Sequence, residues 1–101
     1  MHVREVLSRY EAGQRDFRNL NLIAANLRNL NLSGINLSGA NLAKANLTGA
    51  NLSQANLTDT ILVGANLTNT NLTRANLENA DLSNVDLSDS ILRGTIFNRK
   101  R

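Results

Sequence analysis

From residue 17 onward a large apolar side chain recurs at every fifth position: Phe17, then leucine from Leu22 through Leu92, then Phe97. The residues between are mostly Asn, Ser, Thr, Gly and Ala. An α-helix turns about 100° per residue, so five residues advance about 500° and scatter the leucines around the cylinder. On a flat strand every fifth residue falls on alternate faces. A chain that runs extended briefly and turns a corner every five residues gives the leucines one interior axis. Its coils then stack through ladder hydrogen bonds, as in a β-solenoid.

The corners carry their own signature. With the apolar centre written as i, Gly34, Gly39, Gly49, Gly64 and Gly94 all fall at i+2. Asn19, Asn29, Asn69, Asn79 and Asn84 share that slot. A type II turn centred on i+1 and i+2 needs φ > 0 at its third residue, which Gly and Asn tolerate best. Position i−1 is Asn in eleven of the seventeen units. This run reads as side-chain ladders between coils rather than as binding groups. Ahead of the repeat, Val3, Val6, Leu7 and Tyr10 make one apolar stripe and predict a helix over 3–12. Glu5 and Arg9 stand four apart in the favourable order, and Gly13 suits the position after the last turn. A helix this short needs packing to persist. An uncapped solenoid end shows apolar side chains and unpaired edges to water. The helix is therefore expected to lie across the first coil, with Phe17 plugging the column.

The tandem Ala-Asn-Leu-x-x units of residues 36–57 resemble those of the pentapeptide-repeat family, and Ser8 to Phe17 is similar to the lead-in of such proteins. The resemblance spans Arg15 to Arg99, seventeen consecutive units without an insertion. It implies an all-β body, a right-handed quadrilateral parallel β-helix with four units per coil. Positions i and i−2 then lie inside, and i−1, i+1 and i+2 outside. Seventeen units make about four coils, a body roughly 20 Å tall at about 4.8 Å per coil. Eight i−2 positions are alanine, as tight coils require, and the larger Leu20, Leu30 and Ile35 come early, where the column meets the helix. The expected organisation is a capping helix and lead-in over 1–14, the β-helix over 15–99, and a basic tail at 100–101.

Composition agrees with a narrow leucine column: the only aromatics are Tyr10, Phe17 and Phe97. Without cysteine there is no disulfide framework and no thiolate metal site. No apolar run is long enough to span a membrane, and the N-terminus lacks a signal-peptide core, so a cytoplasmic protein is expected. The net charge of +3 changes meaning once it is placed along the chain. Residues 20–90 carry Arg28, Lys44 and Arg74 against Asp59, Glu78, Asp81, Asp86 and Asp89, a mildly acidic body. The basicity lies in the ends, with Arg93, Arg99, Lys100 and Arg101 at the last. A high isoelectric point alone suggests nucleic acid; here it reports mostly a tail.

Reactive chemistry has little to stand on. His2 is the only histidine. The Ser and Thr residues at i+1 have no neighbouring base and read as corner residues, not nucleophiles. Asp81, Asp86, Asp89 and Glu78 occupy successive sides of a coil and read as a solvated patch, since calcium needs six to eight converging oxygens. No catalytic, cofactor or metal site is expected. Sorting the outward positions by side gives two surfaces. Units four apart share a side, which stacks Ile23, Ala43, Ile61 and Val63 as a candidate partner face. At the far end Ile91 and Ile96 stand where the pattern calls for Asn. Together with Leu92 and Phe97 they form a candidate end for a two-fold homodimer that covers both open edges.

The reading that follows is a non-enzymatic scaffold for protein partners, with no membrane partner and nucleic acid disfavoured. One alternative comes from the resemblance: some family members resemble B-DNA in shape and charge and occupy the DNA site of DNA gyrase, which asks for a long acidic rod. The other is weak, salt-sensitive nucleic-acid binding through the basic tail, which lacks stacking aromatics.

Overall fold

The computed structural model describes residues 1–97. The basic tail expected at 100–101, and Asn98 and Arg99 before it, lie outside the described residues. The repeat pairs with itself at one constant offset. Asp16 bridges to Asn36, Asn21 to Asn41, and so on to Asn71 with Ile91, always parallel and always twenty residues apart. Two short strands, β1 (Asn76–Leu77) and β2 (Ile96–Phe97), pair in parallel at the same offset. Twenty residues are four units, so every fourth unit stacks and the coil has four sides. The molecule measures 39 × 23 × 23 Å.

Hydrogen bonds run both along the stack and across the corners. Leu22 N–H donates to Asn41 O at 2.8 Å, Ala24 N–H to Ala43 O at 2.8 Å, and Asn41 N–H back to Leu20 O at 2.8 Å. At the corner, Ala25 N–H donates to Leu22 O at 3.1 Å, which closes a four-residue turn. Every i+2 residue from Asn19 to Gly94 has φ between 56° and 73°, as the third position of a type II turn requires. The slot is wider than Gly and Asn: Ala24, Lys44, Gln54, Asp59, Arg74 and Asp89 occupy it too. For such residues the left-handed conformation costs about 1–2 kcal/mol, a cost that stacking on a neighbouring coil imposes.

The leucines from Leu22 to Leu77 are buried along one column. Each contributes roughly 1.5–3 kcal/mol on leaving water. Small residues at i−2 fill the spaces, and two buried hydroxyls there are satisfied by carbonyls. Thr60 Oγ1 donates to Leu57 O at 2.8 Å and Thr70 Oγ1 to Leu47 O at 2.7 Å. At the far end Leu82, Leu87 and Phe97 are only partly buried and Leu92 is exposed.

The helix expected over 3–12 is α1, Val3–Glu11. Gln14 N–H donates to Arg9 O and Gly13 N–H to Tyr10 O, with Gly13 at φ +108°. This is the Schellman arrangement that a glycine after the C-cap makes possible. Val6 and Tyr10 join the same core as Phe17 and Leu22. Tyr10 OH donates to Ser33 O at 2.6 Å. The Arg15 guanidinium lies 3.7 Å from the Tyr10 ring centroid and donates to Tyr10 O at 2.9 Å.

Candidate interaction surface

The outer surface is set by what the i−1 side chain does. Asn21 Oδ1 accepts the Ile23 N–H at 3.2 Å, Asn41 Oδ1 the Ala43 N–H at 3.1 Å, and Asn56 Oδ1 the Thr58 N–H at 3.0 Å. The asparagine oxygen thus turns to its own corner and not to the coil above, contrary to the expected ladders. An Asx-type bond two residues ahead is local and satisfies an otherwise unpaired N–H at once. Side-chain bonds between coils come instead from hydroxyls at i+1: Ser53 Oγ to Ser33 Oγ at 3.2 Å and Thr58 Oγ1 to Ser38 Oγ at 3.1 Å.

Aspartate does the same work at Asp81 and Asp86. The Ser83 hydroxyl, and then its N–H, donate to Asp81 and hold its carboxyl below the ordinary aspartate range. Ser88 does likewise for Asp86. At Asp16 the Arg18 side chain lowers the carboxyl. The acids of this last coil are therefore corner residues. Among the described residues no three His, Cys, Asp or Glu side chains are placed to hold a metal ion. His2 lines open hollows beside α1, one of about 820 Å³ with Val3, Arg4, Glu5, Leu7 and Ser8.

The first predicted surface is assembled on one side. Ala24 N–H donates to Ala43 O and Lys44 N–H to Val63 O, so Ile23, Ala43 and Val63 stand one above another. Ile61 sits beside Val63, between Asn41 below and Asp81 above. Ile23 is 51% exposed and Ile61 42%. At its lower end the strip meets a hollow of about 460 Å³ shared with Met1, His2 and Val3. The second predicted set is not a single patch. Ile91 stacks on Asn71 and Ile96 on Asn76, so both face sideways, on neighbouring sides of the coil. Leu92 and Phe97 continue the interior column instead. Neighbours on extended backbone point opposite ways, which divides the set. Lys44, absent from the expected sites, borders the strip, and its stem runs across Gly64. The available signal was a lysine in the slot that Gly and Asn otherwise favour.

A parallel β-solenoid with four sides, a five-residue unit and a leucine interior defines the class of this protein. Within that class the family description "Pentapeptide repeats" matches residues 21–59 and 60–99, eight copies in all. The chain belongs to the pentapeptide-repeat family, whose members form right-handed β-helices. A pentapeptide repeat protein from Nostoc PCC 7120 is similar at 34% identity and TM-score 0.58, covering 99% of this chain and 88% of that one. HetL of the same cyanobacterium, involved in heterocyst differentiation regulation, is similar at 32% identity and TM-score 0.52, covering 94% of this chain and 46% of that one. A pentapeptide repeat protein from the Arabidopsis thaliana thylakoid lumen is 37% identical with TM-score 0.48, covering 80% of this chain and 60% of that one. No curated protein matches the chain. Among the described residues no helix is long and apolar enough to cross a membrane.

Proposed function

We propose that this chain is a non-enzymatic scaffold that presents the sides of its β-helix to protein partners, in the cytoplasm. In this reading α1 caps the first coil, about four coils form a rigid post, and the partner face is Ile23, Ala43, Ile61 and Val63. The observation that carries it is that strip: three apolar side chains stacked on consecutive coils, with Ile61 beside them, whereas the exposed Ile91 and Ile96 stand singly on their sides. Partners are recovered with the tagged full chain from the source cell and compared with Ile61→Asn combined with Val63→Thr. A partner lost on the variant, with an unchanged far-UV spectrum, supports the face; one retained removes it. The same reading includes an end-to-end homodimer through Leu92 and Phe97.

The gyrase alternative has less behind it. Arg18, Arg28, Lys44, Arg74 and Arg93 interrupt the acidic residues on the outer surface, and the whole molecule, α1 included, is only 39 Å in its longest dimension. A supercoiling assay that shows inhibition would restore it. Nucleic-acid binding by the tail rests on residues outside those described, and a salt-titrated binding assay on a chain ending at Asn98 tests it.

A further inference from the structure

The stretch Asp59-Thr60-Ile61-Leu62-Val63-Gly64-Ala65 returns thirty residues later as Asp89-Ser90-Ile91-Leu92-Arg93-Gly94-Thr95. Both interrupt the repeat in the same way. From Asp16 to Asp86 every unit has its i−1 oxygen on the N–H two residues ahead, except the unit of Ile61. Ile91 makes the same exception. The N–H groups of Val63 and Arg93 thus have no acceptor among the described residues. Thr60 and Ser90 turn inward, as Thr70 and Thr95 also do: Thr60 donates to Leu57 O at 2.8 Å, and Ser90 Oγ lies 2.8 Å from both Leu87 O and Leu67 O. Gly64 and Gly94 follow at φ +71° and +70°, each crossed by the stem of a cation from the preceding coil. A Cβ on Gly64 would stand 3.5 Å from Lys44 Cγ, and one on Gly94 3.1 Å from Arg74 Cγ. Neither cation has a carboxylate partner among the described residues.

Replacing Asn by Ile gives up a corner hydrogen bond and leaves an apolar side chain 42% exposed at Ile61 and 49% at Ile91. A local rule broken in the same way in both copies of one seven-residue stretch, without a structural gain, marks a functional position. Each corner gathers three unmet requirements: an exposed aliphatic side chain, a backbone donor aimed where the other units hold an oxygen, and an unpaired cation. An extended segment with an aliphatic side chain beside a carboxylate meets all three. Six units separate the two corners, and four units make a coil, so they lie on opposite sides, offset by about 7 Å along the axis.

We propose that these corners are two copies of one docking site. Each takes an extended segment of a protein partner in which an aliphatic side chain neighbours Asp or Glu, so that one chain holds two such segments on opposite sides. This inference rests on the scaffold reading above and adds the partner's chemistry and the number of sites. The probe is a phage-displayed library of random linear peptides selected on the full chain, with enriched peptides then titrated calorimetrically. The expected result is enrichment of aliphatic residues next to Asp or Glu, with two peptides bound per chain. Ile61→Asn and Ile91→Asn should each leave one, and the double variant should weaken binding by about tenfold or more. Because Asn restores the acceptor found in the other units, these variants keep the fold, which an unchanged far-UV spectrum verifies. Loss on Ile61→Asn alone overturns the pairing of sites but leaves the scaffold reading standing. Binding indifferent to both variants, or no enrichment, overturns the paired docking sites, while the scaffold reading stands or falls on the partner recovery with Ile61→Asn and Val63→Thr. Basic or uncharged selected peptides overturn the partner's chemistry. A mass change of Ile61→Asn in light scattering without peptide makes a second copy the occupant, and also overturns it.

Discussion

At the scale of single residues, the corner slot separates two effects that the repeat superimposes. Gly39 sits above Asn19, and a Cβ there would be driven into Asn19 Oδ1; Gly49 stands in the same relation to Asn29. Ala24 holds φ +57° and carries the left-handed cost of a residue with a Cβ. Ala24→Gly should therefore stabilise by about 1 kcal/mol, and Gly39→Ala destabilise by about 2 kcal/mol or more, in urea unfolding. In an Asn19→Gly background Gly39→Ala should lose the clash and keep only the backbone cost. Equal penalties in both backgrounds would show that the stacking contact is worth nothing. Acid acts on the same corners. Asp81 and Asp86 have carboxyls lowered in the folded state, so their contribution is complete above the ordinary aspartate range. It is lost as pH falls through the lowered value. Asp81→Asn with Asp86→Asn keeps the acceptor oxygen and should flatten that part of the acid loss. An unchanged acid profile would assign the loss to other carboxylates.

At the scale of elements, α1 and the coils depend on each other at Tyr10. Its hydroxyl reaches Ser33 O, and its ring lies under Arg15. Tyr10→Phe keeps the ring and removes the donor, so it should cost about 1 kcal/mol and speed hydrogen exchange in the first coil before the others. Uniform exchange across all coils would mean that the helix contributes nothing local. Leu57→Asp places a charge inside the column and should abolish the fold, read as loss of the cooperative transition. Much of this was legible in the order of residues. The period of five fixed a common interior, Gly and Asn at i+2 located the corners, and the stripe from Val3 to Tyr10 located the helix. The destination of the asparagine oxygens was not legible. A bond to the same corner and a bond to the next coil both recur every five residues, so the period cannot distinguish them. The tolerance of Lys44, Gln54 and Arg74 for positive φ was equally hidden, since none of them favours that conformation and only neighbouring coils enforce it. The side of Ile23, Ala43, Ile61 and Val63 followed once four units per coil was assumed. The duplicate at Asp89 to Gly94 was present in the sequence, but the missing acceptors that give it meaning needed coordinates.

At the scale of the whole molecule, the two ends differ. The N-terminal end is closed by Val6, Tyr10 and Phe17, all buried. At the other end Leu92 is 39% exposed and Phe97 partly so. The N–H groups of Leu82, Leu87 and Leu92 there have no coil beyond them among the described residues, whereas Leu62, Leu67 and Leu72 each donate upward. A second copy related by a two-fold axis would bring two such edges together in antiparallel register and cover both leucine columns. The contact is small. A cross-section of 23 × 23 Å gives on the order of 500 Å² per copy, near the lower bound for a specific interface. Association should therefore depend on concentration, rising toward twice the 11.0 kDa chain mass in light scattering. Phe97→Asp, which sets a charge at the centre of the contact, should return it to 11.0 kDa at every concentration. Ile91 and Ile96 face sideways and lie outside this contact, so Ile91→Asn should leave the association unchanged. A mass insensitive to Phe97→Asp, or one lowered by Ile91→Asn alone, would move the contact from the end of the column to its sides.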